Sequence, residues 1–257
     1  MNILHAVIFG IVEGVTEFFP ISSTGHLILT AQILRVSQSD FVKSFEIAIQ
    51  LGAILSVVAL YFNSLLLDLK IMKKLIAAFI PTMIIGLIFY KLVKRYLLGN
   101  SHVVIWSLLI GGIFIIVFEL LHWEKAGATD DVASISYKQA VLIGLFQSIA
   151  VIPGVSRSAA TIIGGLLLGL KRKQIVEFSF LLAVPTMLAA TVFDLSKNCN
   201  TFTQNQFIFL FTGFITSFIV ALMAIKFLLA FIRNNSFIAF GVYRILIALL
   251  FFFLAAR

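Results

Sequence analysis

Long apolar runs separated by short polar segments dominate the chain. A helix needs about 20 apolar residues to cross the hydrocarbon core of a bilayer. Six runs approach or exceed that length, and they cover about Phe45–Phe62, Leu75–Val93, Val103–Leu121, Val176–Leu195, Gln206–Phe231 and Phe237–Ala256. The pattern therefore predicts six transmembrane helices.

Two further apolar stretches are each interrupted by a short polar break. Residues 3–34 break at Pro20–Gly25, and residues 137–170 break at Pro153–Ser158. Proline removes a backbone donor and glycine permits unusual dihedral angles, so we expect each helix to break there. The halves of the first stretch are marginal for a crossing, which predicts a re-entrant hairpin. Such broken backbone is tolerated at membrane depth only where protein or a water-filled cavity satisfies it.

The order of one hairpin and three spans occurs twice, in residues 1–122 and 137–257 approximately. A shift of 134 positions aligns the copies and pairs Gly10 with Gly144, Glu13 with Gln147 and Ser22 with Ser156. Because three crossings are an odd number, the second copy must enter from the opposite face. The sequence thus predicts an all-α polytopic membrane protein, a single membrane domain over residues 1–257. Its two inverted-topology repeats place the binding site near the midplane.

Composition and charge narrow the class further. The chain is 61% hydrophobic and 12% charged, whereas soluble domains carry about 25% charged residues, so a water-soluble fold is excluded. The net charge of +8 does not indicate nucleic-acid binding, because most Lys and Arg lie in short loops between apolar runs. The loops with Lys70, Lys73, Lys74 and Lys171–Lys173 hold the tightest basic clusters. We therefore expect them inside, with both termini outside and the first hairpin opening outwards.

Two carboxylates lie in the first hairpin, just before its break. Glu13 and Glu17 are four residues apart and share one helix face. Their mutual repulsion must be offset by a cation, a proton or an arginine, and Mg²⁺ or Ca²⁺ suits carboxylate oxygens together with a phosphate ligand. A solvated pair is the alternative, but the neighbours are apolar, and a charge at membrane depth costs roughly 2.5–3.5 kcal/mol. A functional role is favoured.

The first break adds hydroxyls and an imidazole. Ser22, Ser23 and Thr24 lie where backbone N–H groups are freed, a combination suited to phosphate oxygens. His26 follows and is a candidate acid, base or nucleophile. A structural histidine is the alternative, less favoured because His26 shares its break with carboxylates and hydroxyls.

Arg157 lies in the second break, flanked by Ser156 and Ser158. A guanidinium at depth favours a bidentate anion such as phosphate. If the repeats fold together, Arg157 faces the first break across a shared pocket, a constellation typical of phosphoryl transfer. A purely structural role as counterion to Glu13 or Glu17 is the alternative.

Two further polar pairs have open interpretations. Glu46 and Gln50 either extend the pocket or pair with Lys43 at the interface. Tyr243 and Arg244 interrupt the last apolar run and indicate a snorkelling or inter-helix contact.

The segments Glu13–His26 and Pro153–Ser158, with Phe45–Gly52, closely resemble the bacterial undecaprenyl-diphosphate phosphatase family, also called bacitracin resistance proteins. The resemblance covers the whole chain. It implies a bacterial plasma-membrane enzyme that hydrolyses undecaprenyl diphosphate to the monophosphate, recycles the lipid carrier for peptidoglycan precursors and confers bacitracin resistance. It also implies dependence on a divalent metal, six spans plus two hairpins, and contact with membrane lipid. A homodimer is left open.

Roles follow from the resemblance residue by residue. Glu13 and Glu17 resemble the metal or acid–base carboxylates, and Ser23 and His26 both remain candidate nucleophiles. Arg157, with Ser156 and Thr161, resembles the diphosphate clamp. The residues expected to bind substrate are Ser22, Thr24, Gln50, Ser156, Ser158 and Thr161.

One position departs from the family pattern, because Ala159 stands where glycine usually follows Ser-Arg-Ser. If that position needs a positive φ or a close backbone approach, the pocket geometry differs slightly.

Two rival functions were weighed. Acid-phosphatase-like lipid phosphatases require a histidine shortly after the arginine, and no histidine follows Arg157, so that interpretation fails. A polyprenyl-phosphate flippase or transporter is the remaining alternative, since inverted repeats with broken helices are typical of transporters.

Overall fold

The regular structure is helical throughout the part of the chain that the computed structural model describes, residues 1–37, 39–63, 68–97, 100–121, 131–198 and 204–255. In chain order the α-helices are α1 Ile3–Thr16, α2 Ser23–Ile33, α3 Asp40–Leu60, α4 Leu69–Leu92, α5 Ser101–Leu121, α6 Tyr137–Ser148, α7 Arg157–Leu167, α8 Arg172–Asn198, α9 Gln204–Phe231 and α10 Ile238–Ala255. The predicted all-α class is confirmed.

Among the described residues, five helices are long and apolar enough to cross a membrane: α3, α4, α5, α8 and α9. The sixth predicted span is α10, whose apolar part Ile238–Phe253 is shorter than the other five. The predicted end of that span at Ala256 lies outside the described residues. Length and composition thus support five crossings directly, and α10 is an apolar helix of marginal length.

Both predicted hairpins consist of two short helices with a break between them. The four helices α1, α2, α6 and α7 have 14, 11, 12 and 11 residues. At 1.5 Å per residue each is too short to cross the hydrocarbon core alone. The breaks at Pro20 and Pro153 therefore fall inside the protein, where other segments must satisfy the backbone.

Two short helices followed by three longer ones occur twice along the chain. This order agrees with the predicted repeats, which stay a prediction. Each copy packs its first helix against the other copy. Helix α1 packs on α9 and α6 packs on α4, and α4 and α9 are the second long helices of their copies. Gly10 and Gly144, aligned by the shift, both lie where their helix approaches a neighbouring backbone closely. The inverted orientation of the copies stays a prediction.

Small residues allow α1 to approach α9 closely. Gly10 and Gly14 have the spacing of the small-residue motif at membrane helix interfaces. A Cβ at Gly10 would lie 2.7 Å from the Gly213 carbonyl oxygen, and one at Gly14 would lie 2.8 Å from that of Ser217. This contact fixes the helix that carries Glu13 and is followed directly by Glu17.

Replacing Gly14 by alanine is expected to destabilise the fold, because the new methyl group would overlap backbone of α9. Overpacking of this kind costs roughly 1–3 kcal/mol. We expect a lower thermal unfolding midpoint for Gly14→Ala in detergent. Gly86→Ala is the matched control, since its methyl group would meet open space. Equal midpoints in the two variants would contradict close packing of α1 on α9.

Candidate active site

The two breaks meet in the centre of the protein. The Ser158 hydroxyl of the second break donates a hydrogen bond to the Phe19 carbonyl of the first at 2.7 Å. Nearby, Arg157 Nη2 contacts Glu17 Oε1 at 3.3 Å. The predicted meeting of Arg157 with the carboxylate hairpin is therefore present in the structure.

Both breaks end on a serine in the left-handed region of backbone space. Ser22 has φ +71° and Ser156 has φ +77°, conformations that cost a non-glycine residue about 1–3 kcal/mol. Each serine hydroxyl accepts a hydrogen bond from a backbone N–H three residues later, Gly25 in α2 and Ala159 in α7. Helices α2 and α7 thus both begin where the two breaks meet. Helix N-termini attract anions.

Ala159 does not occupy a position that needs glycine for its conformation. It lies inside α7, and the positive φ in this break belongs to Gly154 and Ser156. The alanine in place of the family's usual glycine therefore introduces no strained φ.

A pocket of about 440 Å³, including its open mouth, lies between the two breaks. Its walls come from both hairpins, from α3 and from α8, and are formed by Glu17, Ser22, Ser23, Thr24, Gln50, Ala150, Ile152, Pro153, Gly154, Ser156, Arg157 and Met187. The pocket is polar on the side of the hydroxyls and charges and apolar towards Ala150, Ile152 and Met187.

Glu17 links the two breaks through both of its carboxylate oxygens. Ser23 Oγ donates to Oε2 at 2.6 Å, and Arg157 contacts Oε1. Arg157 Nη1 also donates to the Ser179 carbonyl of α8 at 2.8 Å. Arg157 is thus the counterion of Glu17 and a wall of the pocket at once, so the two roles weighed from the sequence do not exclude each other.

Glu13 does not form part of the pocket wall. Its side chain is fully buried, and neither carboxylate oxygen has a hydrogen-bond partner among the described residues. It lies within electrostatic range of Glu17, Glu46 and Arg157. A buried carboxylate without partners is costly, and a bound cation is one group that satisfies it.

A divalent cation fits this pair of carboxylates as part of a larger ligand set. No group of three or more His, Cys, Asp and Glu side chains converges within the described residues. Mg²⁺ is commonly held by one or two carboxylates together with substrate phosphates and water. Glu13 and Glu17 are compatible with that arrangement, in which the remaining ligands come from outside the chain.

His26 lies beside the pocket, and both of its ring nitrogens are engaged. Nδ1 lies 2.8 Å from the Ser22 carbonyl oxygen, and Nε2 lies 2.9 Å from the Tyr243 hydroxyl. Because a carbonyl only accepts, Nδ1 carries the proton, and neutral Nε2 then accepts from Tyr243. The His26 and Tyr243 rings are parallel to within 2° with centroids 5.5 Å apart. In this conformation His26 supports the strained Ser22.

The other predicted substrate residues divide into two groups. Gln50 lines the pocket, whereas Glu46 does not. Ser158 and Thr161 lie behind it, and Thr161 Oγ1 is 2.6 Å from Ser179 Oγ. Thr161 therefore supports the residue whose carbonyl holds Arg157, and Ser158 joins the two hairpins.

Sequence reasoning missed three supporting groups: the Tyr243 hydroxyl, the Ser179 carbonyl and the hydrogen bonds of Arg244. Arg244 is fully buried, so of its two interpretations snorkelling is wrong and an inter-helix contact is confirmed. The signal for Arg244 was its place in an apolar run. A carbonyl acceptor such as that of Ser179 leaves no mark in the sequence, because every residue has one.

The fold and the pocket define a polytopic membrane protein whose polar site is built from two broken helical hairpins. The family model described as "Bacitracin resistance protein BacA" matches residues 6–250. The chain belongs to this family.

Proteins similar to this chain over nearly its whole length carry the name undecaprenyl-diphosphatase. The one from Aquifex aeolicus is 58% identical over 247 residues, which cover 96% of each chain. The one from a Sulfurihydrogenibium species is 52% identical and covers 98% of this chain and 99% of its own. The one from Wolinella succinogenes is 50% identical and covers 98% of each.

Tyr243→Phe is expected to weaken the support of Ser22 through His26, because it removes the donor to Nε2 and keeps the stacked ring. A net hydrogen bond contributes about 0.5–1.5 kcal/mol. A double-mutant cycle with His26→Gln, read by thermal unfolding in detergent, should give a coupling free energy in this range. Strict additivity of the two changes would show that the contact is energetically silent.

Proposed function

We propose that the chain is an integral membrane hydrolase that converts undecaprenyl diphosphate to undecaprenyl phosphate and inorganic phosphate. The observation that carries the proposal is the continuous contact from Ser23 through Glu17 to Arg157 in one pocket. It joins a hydroxyl, a base and a guanidinium, the parts that phosphoryl transfer uses. The names of the relatives supply the substrate.

Ser23 is the proposed nucleophile. Its Oγ attacks the terminal phosphorus while its proton moves to Glu17 Oε2, the oxygen that it already contacts. The bond from phosphorus to the bridging oxygen breaks, and its electron pair leaves with undecaprenyl phosphate. Glu17 passes the proton it received to that leaving oxygen and is a free carboxylate again. Water then attacks the phosphorus of the phosphoserine, Glu17 takes one proton from the water and delivers it to Ser23 Oγ as the ester bond breaks, and hydrogen phosphate leaves. His26 is less suited to attack, because Tyr243 and Ser22 engage both of its nitrogens.

Arg157 and the two helix N-termini stabilise the charge on the transferred group. Arg157 lines the pocket and keeps donor capacity for an anion, since Ser179 and Glu17 engage only two of the five N–H groups of its guanidinium. The first N–H groups of α2 and α7 have no acceptor within their helices. Preorganised donors of this kind in a water-poor site are commonly the largest contribution to catalysis.

Glu13 and Glu17 are the proposed holders of a divalent metal ion, Mg²⁺ or Ca²⁺. When bound, such a cation supplies positive charge that neutralises and polarises the diphosphate oxygens. The support is the pair of unpartnered, buried Glu13 oxygens next to Glu17. The chain itself contributes the two carboxylates and the surroundings that bury them.

The substrate is proposed to reach the pocket laterally from the bilayer, with its prenyl tail between helices in lipid. The membrane is proposed to be the bacterial plasma membrane, with the pocket opening outwards. The support is the positive-inside tendency, which predicts that the basic clusters Lys70–Lys74 and Lys171–Lys173 lie on the inner face. This reaction would recycle the lipid carrier for cell-wall synthesis and account for bacitracin resistance. The pocket is built within one chain, so a homodimer is compatible with the proposal and not required by it.

Transport of a polyprenyl phosphate is not favoured, because the full-length relatives carry the name of a hydrolase. The two functions separate in detergent, where hydrolysis persists and no membrane remains to be crossed.

Ser23→Ala is expected to reduce phosphate release from undecaprenyl diphosphate to background in detergent, because it removes the attacking oxygen. Glu17→Gln should lower the rate of phosphate release by about 10²–10⁴-fold through loss of the base.

The trapped wild-type phosphoenzyme should be acid-stable and alkali-labile, as phosphoserine is, and His26→Gln should still form it. An acid-labile phosphoenzyme that His26→Gln abolishes would instead make His26 the nucleophile.

Removal of divalent metal is expected to stop phosphate release, and added Mg²⁺ or Ca²⁺ should restore it. Glu13→Gln should raise the metal concentration needed for half-maximal rate, because one of the two carboxylates no longer bears charge. The measurement is phosphate release over a metal titration after chelation, with Gly86→Ala as the matched control. Full activity in excess chelator would contradict the metal proposal while leaving the serine proposal intact.

A further inference from the structure

Arg244 of α10 is a fully buried arginine whose hydrogen-bond partners are all backbone carbonyls. Nε donates to Leu108, Nη1 to Pro20 and Val155, and Nη2 to Ser107 and Gly154, at distances of 2.8–3.3 Å. These acceptors belong to the first break, the second break and α5. No carboxylate forms an ion pair with Arg244 among the described residues.

The match of donors to acceptors is complete. A guanidinium has five N–H groups in a rigid fork, and each of the five contacts joins one of them to a different carbonyl. A helix break frees carbonyl groups, and at membrane depth the protein must satisfy them. One side chain does so for both breaks at once.

Three of the five contacted carbonyls, those of Pro20, Gly154 and Val155, lie in the segments that build the pocket. Pro20 is three residues before Ser23, and Gly154 and Val155 lead directly into Ser156 and Arg157. Arg244 itself does not line the pocket. Its contacts therefore fix where Ser23 and Arg157 stand without touching a bound substrate.

We propose that Arg244 is a positioning residue that holds the two breaks in register, so that Ser23 with Glu17 faces Arg157 across the pocket. The inference rests on the proposed function for its catalytic consequence, and on the hydrogen bonds alone for its structural one. Lysine is not equivalent at this position, because an ammonium has three donors on one atom and cannot reach carbonyls spread over three segments.

The neighbouring helix is built to admit this side chain. A Cβ at Gly111 of α5 would overlap the Arg244 guanidinium, and one at Gly112 would lie 2.7 Å from the Gly241 carbonyl oxygen. Gly111→Ala is therefore a way to displace the guanidinium while leaving the arginine in the chain.

The first experiment measures kcat and KM for phosphate release in Arg244→Lys, Gly111→Ala and the double variant. Displacing a reacting group by about 1 Å can cost 10²-fold in rate, so we expect each single variant to lose about 10²-fold in kcat with a much smaller change in KM. The double variant should lose no more than Arg244→Lys alone, because both changes act on the same contacts. An unchanged kcat in either single variant, or additive losses, would overturn the proposal.

Two controls separate positioning from general stability. Gly86→Ala adds a methyl group in open space. Arg172→Lys alters a different arginine, whose Nη2 lies 2.8 Å from Glu119 Oε2. Neither residue of this pair lines the pocket. Both should keep the wild-type kcat even where Arg172→Lys lowers the unfolding midpoint. An equal loss of kcat in Arg172→Lys and Arg244→Lys would show that the loss in Arg244→Lys comes from lower stability of the fold. That result would overturn the proposal.

Amide hydrogen exchange tests the structural claim independently of activity. In Arg244→Lys, peptides covering Ile21–Thr24 and Gly154–Arg157 should both exchange faster than in wild type, while the core of α9 keeps its protection. If wild type releases no phosphate, the proposed function fails, and the exchange result still decides the positioning claim. Uniformly faster exchange over all helices, or unfolding of both Arg244→Lys and Gly111→Ala, would assign Arg244 to folding and overturn it.

Discussion

A broken helix at membrane depth exposes backbone groups that no water is present to satisfy, and this constraint shapes the rest of the protein. Two such breaks lie side by side, and their carbonyl groups are satisfied by a contact between them and by Arg244 of α10. The Ser158 hydroxyl donates a hydrogen bond to the Phe19 carbonyl, and the Arg244 guanidinium donates hydrogen bonds to carbonyls of both breaks. Once the breaks are held together, Glu17 and Arg157 meet beside a pocket that residues of both breaks line. The structural requirement and the candidate chemistry therefore share one origin.

Much of the fold could be predicted from the sequence, because a bilayer imposes simple rules on length and hydropathy. The runs that became α3, α5 and α9 and the breaks at Pro20 and Pro153 were all visible. The left-handed serines at 22 and 156 were not, because that conformation normally selects glycine. Tertiary contacts override the local preference here, as the hydroxyl caps of both serines illustrate. The marginal length of α10 also escaped, since apolar composition alone does not fix where a helix ends.

The candidate site was predictable where it uses ionisable side chains. Glu13, Glu17 and Arg157 were recognisable because charge is expensive in an apolar run, and their proximity followed from the repeat. Which of these residues line the pocket and which support others was not predictable. His26 was predicted as a catalytic candidate, and its Nε2 contacts the hydroxyl of Tyr243, on a helix more than 200 positions away. Side-chain contacts with distant backbone carbonyls leave no pattern in a single sequence.

The proposed chemistry depends above all on the two breaks forming one anion pocket. An experimental structure with a non-hydrolysable prenyl methylenediphosphonate bound tests this most directly. We expect phosphonate oxygens to contact Ser23 of the first break and Arg157 of the second in the same molecule. A diphosphonate held by one break alone, or bound elsewhere on the protein, would contradict it.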